Sequence, residues 1–350
     1  MKIEQDIKLD FNDVLFRPKR STLSSRKEVD VEREYSFKYS GQKWKGVPII
    51  SSNMDTISSI DMFKSLSQHN IITCFHKFIE MNDIIKAVNE EGFDPKYMML
   101  STGIMDKDFV KLKENYALLT KNGVNIHFIC IDVANGYMFK LIDFCRKMRS
   151  TFPTVTLIAG NVVSREMTEE LIINGKVDIV KIGIGNGSVC TTRLQTGVGV
   201  PQFSAIMECA DAAHGIGGCI ISDGGVCYPG DVSKAYGGGA DFVMIGSMFA
   251  GHTECPGDIS EDESGNKFKM YYGMSSDTAM NKHHGGVAKY RSSEGKTVRV
   301  AYKGDVDNTV NNILGGVRST CTYIGASRLK DIHKCATFVR VNRQVNNFFK

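Results

Sequence analysis

Short apolar runs rich in β-branched residues recur along the chain, at 47–50, 71–75, 97–100, 127–131, 154–158, 178–182, 218–221 and 241–245. Most are separated by stretches with apolar residues at helical spacing, as at 62–68, 109–120, 138–148 and 167–173. Runs of the first kind read as buried strands and those of the second as amphipathic helices. Continuously apolar strands flanked by helices imply a parallel sheet with its outer face covered. Eight repeats of the unit match a closed (β/α)8 TIM barrel better than an open doubly wound sheet. After the eighth run, residues 251–303 are rich in Gly, Ser, His and charge, with only brief apolar pieces such as Met270-Tyr271-Tyr272. So long a segment is expected to be a lid or flap. Residues 306–316 read as a closing helix and 1–46 as an arm over the barrel's other end. The expected organisation is one barrel catalytic domain over residues 1–350.

Length allows this reading without requiring it, since 350 residues could also form two smaller domains. Charge excludes more. With 43 basic and 39 acidic residues the net charge is +4, and no basic block suggests nucleic acid. A small-molecule partner is expected. Ten cysteines without a Cys-x-x-Cys pair, and no apolar segment after Met1-Lys2-Ile3-Glu4, point to a reducing, cytoplasmic setting. No apolar run approaches the roughly 20 residues of a membrane span.

The candidate chemistry lies at the strand ends. Ser51-Ser52-Asn53-Met54-Asp55, His76-Lys77, Asp132-Val133-Ala134-Asn135-Gly136, Ala159-Gly160-Asn161, Ser222-Asp223-Gly224-Gly225 and Gly246-Ser247 follow apolar runs. In a barrel these ends form one rim, so Cys190, Asp223 and Lys77 are expected to converge. Cys190 lies in Gly183-Ile184-Gly185-Asn186-Gly187-Ser188-Val189-Cys190-Thr191-Thr192-Arg193, where glycines let the backbone approach a ligand. A cysteine is often only a small apolar filler, yet this setting suits a nucleophile activated by a nearby cation or backbone N–H groups. The glycine turns after Asp223 and at Gly246 stand where barrels bind phosphate, although tight strand-to-helix turns need glycine anyway. Gly185 and Gly187 could offer carbonyls to a monovalent cation, but their spacing alone favours an ordinary turn. Exposed Arg and Glu are usually just solvated, and nothing in the spacing brings Glu294 to Cys190. His283-His284 lacks the further ligands of a zinc set.

The loop 185–193, the start Leu9-Asp10-Phe11-Asn12-Asp13-Val14-Leu15 and the turn Ser222-Asp223-Gly224-Gly225 resemble the IMP dehydrogenase and GMP reductase family, over nearly the whole chain. The short link 78–96, where dehydrogenases usually carry a nucleotide-sensing domain, favours the reductase branch. So do Asp132 to Gly136, Tyr290-Arg291-Ser292-Ser293-Glu294-Gly295 and the lack of the dehydrogenase Arg-Tyr flap pair. The resemblance implies reduction of GMP by NADPH to IMP and ammonia, in purine interconversion and salvage. Cys190 would attack purine C2 to form a thioimidate, with Thr192 and Glu294 as the acid pair. It implies that Asp223, Gly224, Gly225, Gly246, Ser247, Gly273, Met274, Ser275, Arg291 and Gly295 hold the nucleotide. Asp132, Val133, Ala134, Ile184, Gly185 and Tyr290 would line the nicotinamide side. Ser25, Arg26, Lys77, Ser319, Thr320, Cys321 and Thr322 would make distal cofactor contacts, with Arg26 and Lys77 suited to a 2′-phosphate. A potassium site would map onto Gly185, Gly187 and Cys190, with Arg193 nearby, and the assembly would be a homotetramer. The sequence departs from the family at Asn186, where proline is usual, and the loss of a fixed φ is expected to loosen the loop.

Three other readings stay open: an IMP dehydrogenase without the inserted domain, a purine-nucleotide-binding barrel without turnover, and a flavin-dependent barrel oxidoreductase.

Overall fold

The computed structural model describes residues 3–286 and 292–342. Eight parallel strands close into a barrel: β1 Ile49–Ser51, β2 Ile72–Phe75, β3 Met98–Thr102, β4 Phe128–Asp132, β5 Thr156–Val162, β6 Ile179–Ile182, β7 Cys219–Asp223 and β8 Phe242–Ile245. Each pairs with the next, and β8 closes on β1 through Val243 opposite Ile49. Every expected strand is present, with ends displaced by a few residues at most. Helices α1 Ile60–Gln68, α2 Met81–Asn89, α3 Asp106–Lys121, α4 Phe139–Thr151, α5 Arg165–Ile173, α6 Gln202–Gly215, α7 Pro229–Gly237 and α8 Val306–Ile324 run between or after the strands. Their apolar stripes bury Phe63 and Leu66 of α1 and Ile206 of α6, among others, against the barrel.

Helix α8 runs past the expected end at 316. The Gly315-Gly316 pair, which reads as a stop in sequence, lies inside the helix, whose buried stripe continues through Val317, Cys321 and Ile324. A Cβ on Gly316 would come within 2.5 Å of Pro229, so glycine permits close packing on α7.

The arm divides into two pieces. A hairpin of Arg33–Ser36 and Lys43–Gly46 covers the barrel's N-terminal mouth. Its Tyr35 ring stacks on Phe242 with centroids 4.6 Å apart, and Trp44 meets Phe128 edge-on at 6.2 Å. Phe242 and Phe128 are the first residues of their strands, so this aromatic layer seals the end away from the rim. The preceding stretch lies elsewhere: Val14–Phe16 pairs with Phe338–Arg340, and the Asp10 carboxylate accepts the Gln202 N–H at 2.7 Å and pairs with Arg193 at 3.3 Å.

The segment 251–303 contains a small antiparallel sheet of Ser260–Glu261, Lys267–Tyr272 and Thr297–Ala301, with a helix Asp277–His284 N-capped by the Ser276 hydroxyl. In the central strand the buried face carries Lys269 and Tyr271 while Met270 is exposed, and Lys269 Nζ donates to the Thr253 and Cys255 carbonyls at 3.2 and 2.6 Å. Among the described residues, no helix is long and apolar enough to cross a membrane.

One rim histidine makes stability depend on pH. Burial beside Lys282 and Lys111 holds His76 down to about 4, from an ordinary 6.5, and its Nδ1 accepts the Phe78 N–H at 3.2 Å. The unfolded chain takes up a proton near pH 6.5 that the folded chain refuses until about 4. This contribution is therefore complete above pH 6.5 and is lost as pH falls toward 4, amounting to up to about 3 kcal/mol. Melting curves across that window should show the native chain losing more stability than His76→Gln, which keeps an acceptor but does not titrate. Parallel losses would refute the assignment.

Candidate active site

The strand ends converge as a barrel requires. A cavity of about 300 Å³ opens on the C-terminal rim and is lined by Cys190, Thr192 and Glu294, by Asp223, Gly224, Gly225, Gly246 and Ser247, and by Gly273, Met274 and Ser275. Asp132, Val133, Ala134, Ile184, Gly185 and Gly187 line the same space.

The nucleophile loop leaves β6 and is stitched to the segment after β8. Cys190 N–H bonds the Gly187 carbonyl at 3.0 Å, Lys296 N–H bonds Val189 O at 2.9 Å, and Thr191 N–H bonds Glu294 O at 2.9 Å. These ties deliver Glu294 to a position that its sequence neighbours do not reveal. The Cys190 Sγ–H faces Thr192 Oγ1 at 3.2 Å, and the Thr192 hydroxyl donates to Glu294 Oε2 at 2.7 Å. A thiol, a hydroxyl and a carboxyl thus form a continuous path for a proton at the cavity wall.

Cys190 is half-buried and faces the cavity. Elsewhere, burial pushes the Cys145, Cys209 and Cys321 thiols up to about 12 and those of Cys74 and Cys219 well above the ordinary range. Those groups stay protonated and inert at neutral pH.

Asn186 does not leave its loop untied. Its side-chain amide donates to the Asp223 carbonyl at 2.9 Å. It also packs over Gly224 and Gly225, whose φ values of +83° and +80° suit glycine and whose missing side chains leave it room. The side chain thereby links the nucleophile loop to the β7 turn, a tie the expectation of a looser loop did not include.

The cavity floor is organised by Lys181, which the sequence reading missed, together with Asn53 and Asn161 from the strand ends expected at the rim. Lys181, on β6, places its Nζ 2.7 Å from Asp132 Oδ1 and 2.7 Å from Asp223 Oδ2. Asn53 donates to Asp132 Oδ2 at 2.8 Å, and Asn161 donates to Asp223 Oδ2 at 2.8 Å and to Gly183 O at 2.7 Å. Burial opposes the Lys181 charge, but Asp132 and Asp223 outweigh it and hold its pKa well above the ordinary value. Partial burial pushes the Asp132 carboxyl up, but Lys181 and the Asn53 hydrogen bond outweigh it and hold it below its usual range. A signal for Lys181 existed in the sequence: a charge within the apolar run Ile179-Val180-Lys181-Ile182 must find a partner if the strand is buried. Asn161 carried none beyond its place after a strand.

The sequence model described as the IMP dehydrogenase / GMP reductase domain matches residues 8–346. The chain belongs to this family. A protein of Salmonella paratyphi C (strain RKS4594) named GMP reductase is 56% identical over 350 residues, covering 100% of this chain and 99% of that one. Proteins of the same name from Salmonella arizonae and Salmonella newport (strain SL254) are 55% identical with the same coverage.

Other residues to which the family resemblance gave roles lie apart from the cavity lining. Lys77 sits on the neighbouring rim, 3.3 Å from Asp108 and beside Lys107 and Lys111. Gly295 bridges to Cys190 and Ser276. Ser25 caps the short helix Arg26–Glu28, which packs on α8, the helix carrying Ser319, Thr320, Cys321 and Thr322. The hydroxyls of Ser319, Thr320 and Thr322 bond back to carbonyls of that helix, and Cys321 is fully buried. Tyr290 and Arg291 lie outside the described residues.

Proposed function

We propose that this chain is a GMP reductase, converting GMP, NADPH and protons to IMP, ammonium and NADP+. The observation that supports it most is the Cys190–Thr192–Glu294 chain at the wall of the cavity, in a protein over half identical to enzymes of that name. The short β2–β3 link, which carries helix α2 and a 3-10 turn at Pro95–Tyr97, agrees with the reductase branch.

In this reading Asp223 accepts the ribose hydroxyls, while backbone N–H groups near Gly224, Gly225, Gly246 and Ser247 receive the phosphate. Gly273, Met274, Ser275 and Gly295, with Arg291, complete the nucleotide site. The Cys190 thiolate adds to purine C2. Glu294, through Thr192, gives the 2-amino group the proton it needs to leave, and the C–N bond breaks to leave a thioimidate on Cys190. A reduced nicotinamide cofactor, held beside Asp132, Val133 and Ala134, would supply the hydride to C2, and breaking of the C–S bond would then release IMP with the Cys190 thiolate restored.

Asp132, Val133, Ala134, Ile184 and Gly185 border the same space as the thiol and suit the nicotinamide end, together with Tyr290. Lys77 offers a cation toward the cofactor phosphates. Ser25, Arg26, Ser319, Thr320 and Thr322 form one group apart from the cavity lining, which fits contacts to a cofactor of another subunit in a homotetramer, whereas Cys321, fully buried, would only support them. A potassium ion would take carbonyls of Gly185, Gly187 and Cys190, with Arg193 nearby. The Gly187 and Arg193 carbonyls already accept the N–H groups of Cys190 and Gly197, so the loop offers lone pairs without a preformed cage, and no step depends on the ion. A cytoplasmic place in purine salvage completes the reading.

Spectrophotometry separates this proposal from its nearest rival. Turnover is expected with GMP plus NADPH. A reaction confined to IMP plus NAD+ would make the chain a dehydrogenase, and a yellow purified protein would favour flavin chemistry.

A further inference from the structure

We infer that Lys181 is a positioning residue that shares one ammonium between the nucleotide and cofactor halves of the cleft, allowing two carboxylates to stand side by side in its floor. The inference rests on the nucleotide role proposed for Asp223.

The geometry leaves the ammonium little other purpose. The Lys181 side chain is 4% exposed and reaches Asp132 and Asp223 at the same 2.7 Å, while those carboxylates remain 34% and 21% exposed toward the cavity. Each keeps one further donor, Asn53 for Asp132 and Asn161 for Asp223. Among the described residues, the other titratable groups facing this triad are the buried thiols Cys130 and Cys74, with Lys77 acting on Asp132 from the rim and Tyr271 close to Asp223. None of these places a second cation between the two carboxylates. Without Lys181, two negative charges would share a poorly solvated floor, and one would take up a proton as pH falls. Protonated Asp223 accepts poorly from ribose hydroxyls. The ammonium would therefore preserve the acceptor on the nucleotide side while restraining Asp132 on the cofactor side.

The test is equilibrium binding of GMP, without cofactor, between about pH 6 and 8. The native protein should bind with an affinity that changes less than about threefold across that range. Lys181→Met should bind about tenfold or more weakly at the acid end and recover as pH rises, because one carboxylate now titrates there. Lys181→Arg, which keeps the charge, should follow the native curve. The decisive variant is Lys181→Met combined with Asp132→Asn. Removing the second carboxylate ends the repulsion, so GMP binding should return to within about threefold of native and lose its pH dependence. A purely packing role for Lys181 predicts no such recovery, and its absence would overturn the inference, as would a pH-independent Lys181→Met curve. If Lys181→Met alone fails to fold, the doubly substituted chain must fold and bind, and its failure also overturns the inference. A native protein that does not bind GMP at all would instead defeat the functional reading, and this inference with it.

Discussion

Alanine in place of Cys190 is expected to abolish NADPH oxidation with GMP, by on the order of 10⁴-fold or more, while leaving GMP affinity within about tenfold of native. The asymmetry follows from where the atoms sit. The thiol is one half-buried group on the wall of a cavity of about 300 Å³, whereas nucleotide binding is assigned to the β7 and β8 turns and Asp223. Replacing it with a methyl group removes the hydrogen bond to Thr192 but none of the backbone ties that hold the loop, such as Cys190 N–H to Gly187 O and Lys296 N–H to Val189 O. Calorimetric titration with GMP measures the first half of the expectation and NADPH absorbance the second. Mass spectrometry of native enzyme quenched during turnover should show an adduct on the peptide containing Cys190 and none in the variant. Continued NADPH oxidation by Cys190→Ala would end the nucleophile assignment.

The barrel was legible because its signal is one-dimensional. Continuous apolar runs, separated by stretches of helical period, describe strands buried on both faces whatever their partners, and all eight fell in place. The rim was legible for the same reason, since a parallel barrel sends every strand end to one face. What escaped was long-range. The Thr192–Glu294 hydrogen bond spans 102 positions, and no local pattern distinguishes that glutamate from a solvated one. Lys181 was absorbed into a run read as a plain apolar strand, although a lysine between Val180 and Ile182 conflicts with burial unless it is paired. The sheet of 251–303 was hidden by its charge, because Lys267 and Lys269 alternate with Phe268 and Met270 and break the continuous apolar run that marked the barrel strands. Gly315-Gly316 misled in the other direction: glycine stops a helix when φ turns positive, but here it serves close packing against Pro229 within one.

The link between Thr192 and Glu294 carries the second large effect. Glu294→Gln keeps a side chain able to accept from the Thr192 hydroxyl, so the 2.7 Å contact and the loop ties can survive, but an amide cannot cycle a proton. Turnover of GMP should fall by about 10²- to 10⁴-fold, the range of a lost general acid, with GMP affinity little changed. Thr192→Ala should fall comparably, because it removes the hydroxyl that bridges thiol and carboxyl, whereas Thr192→Ser, which restores the hydroxyl, should stay within about tenfold of native. The two half-reactions distinguish an acid for the leaving amine from a general prop of the site. Run backward from IMP and NADP+, the first step needs only addition of the Cys190 thiolate to C2 and loss of the C2 hydrogen as hydride, giving one NADPH and the thioimidate per site. Glu294→Gln should retain that single burst, measured by rapid mixing, and then stall, since ammonia must add to C2 and lose a proton for GMP to form. If the burst slows by the same factor as the steady state, Glu294 is not the proton donor to the departing amine but part of what holds Cys190 in place, and the roles assigned along this chain would have to be exchanged.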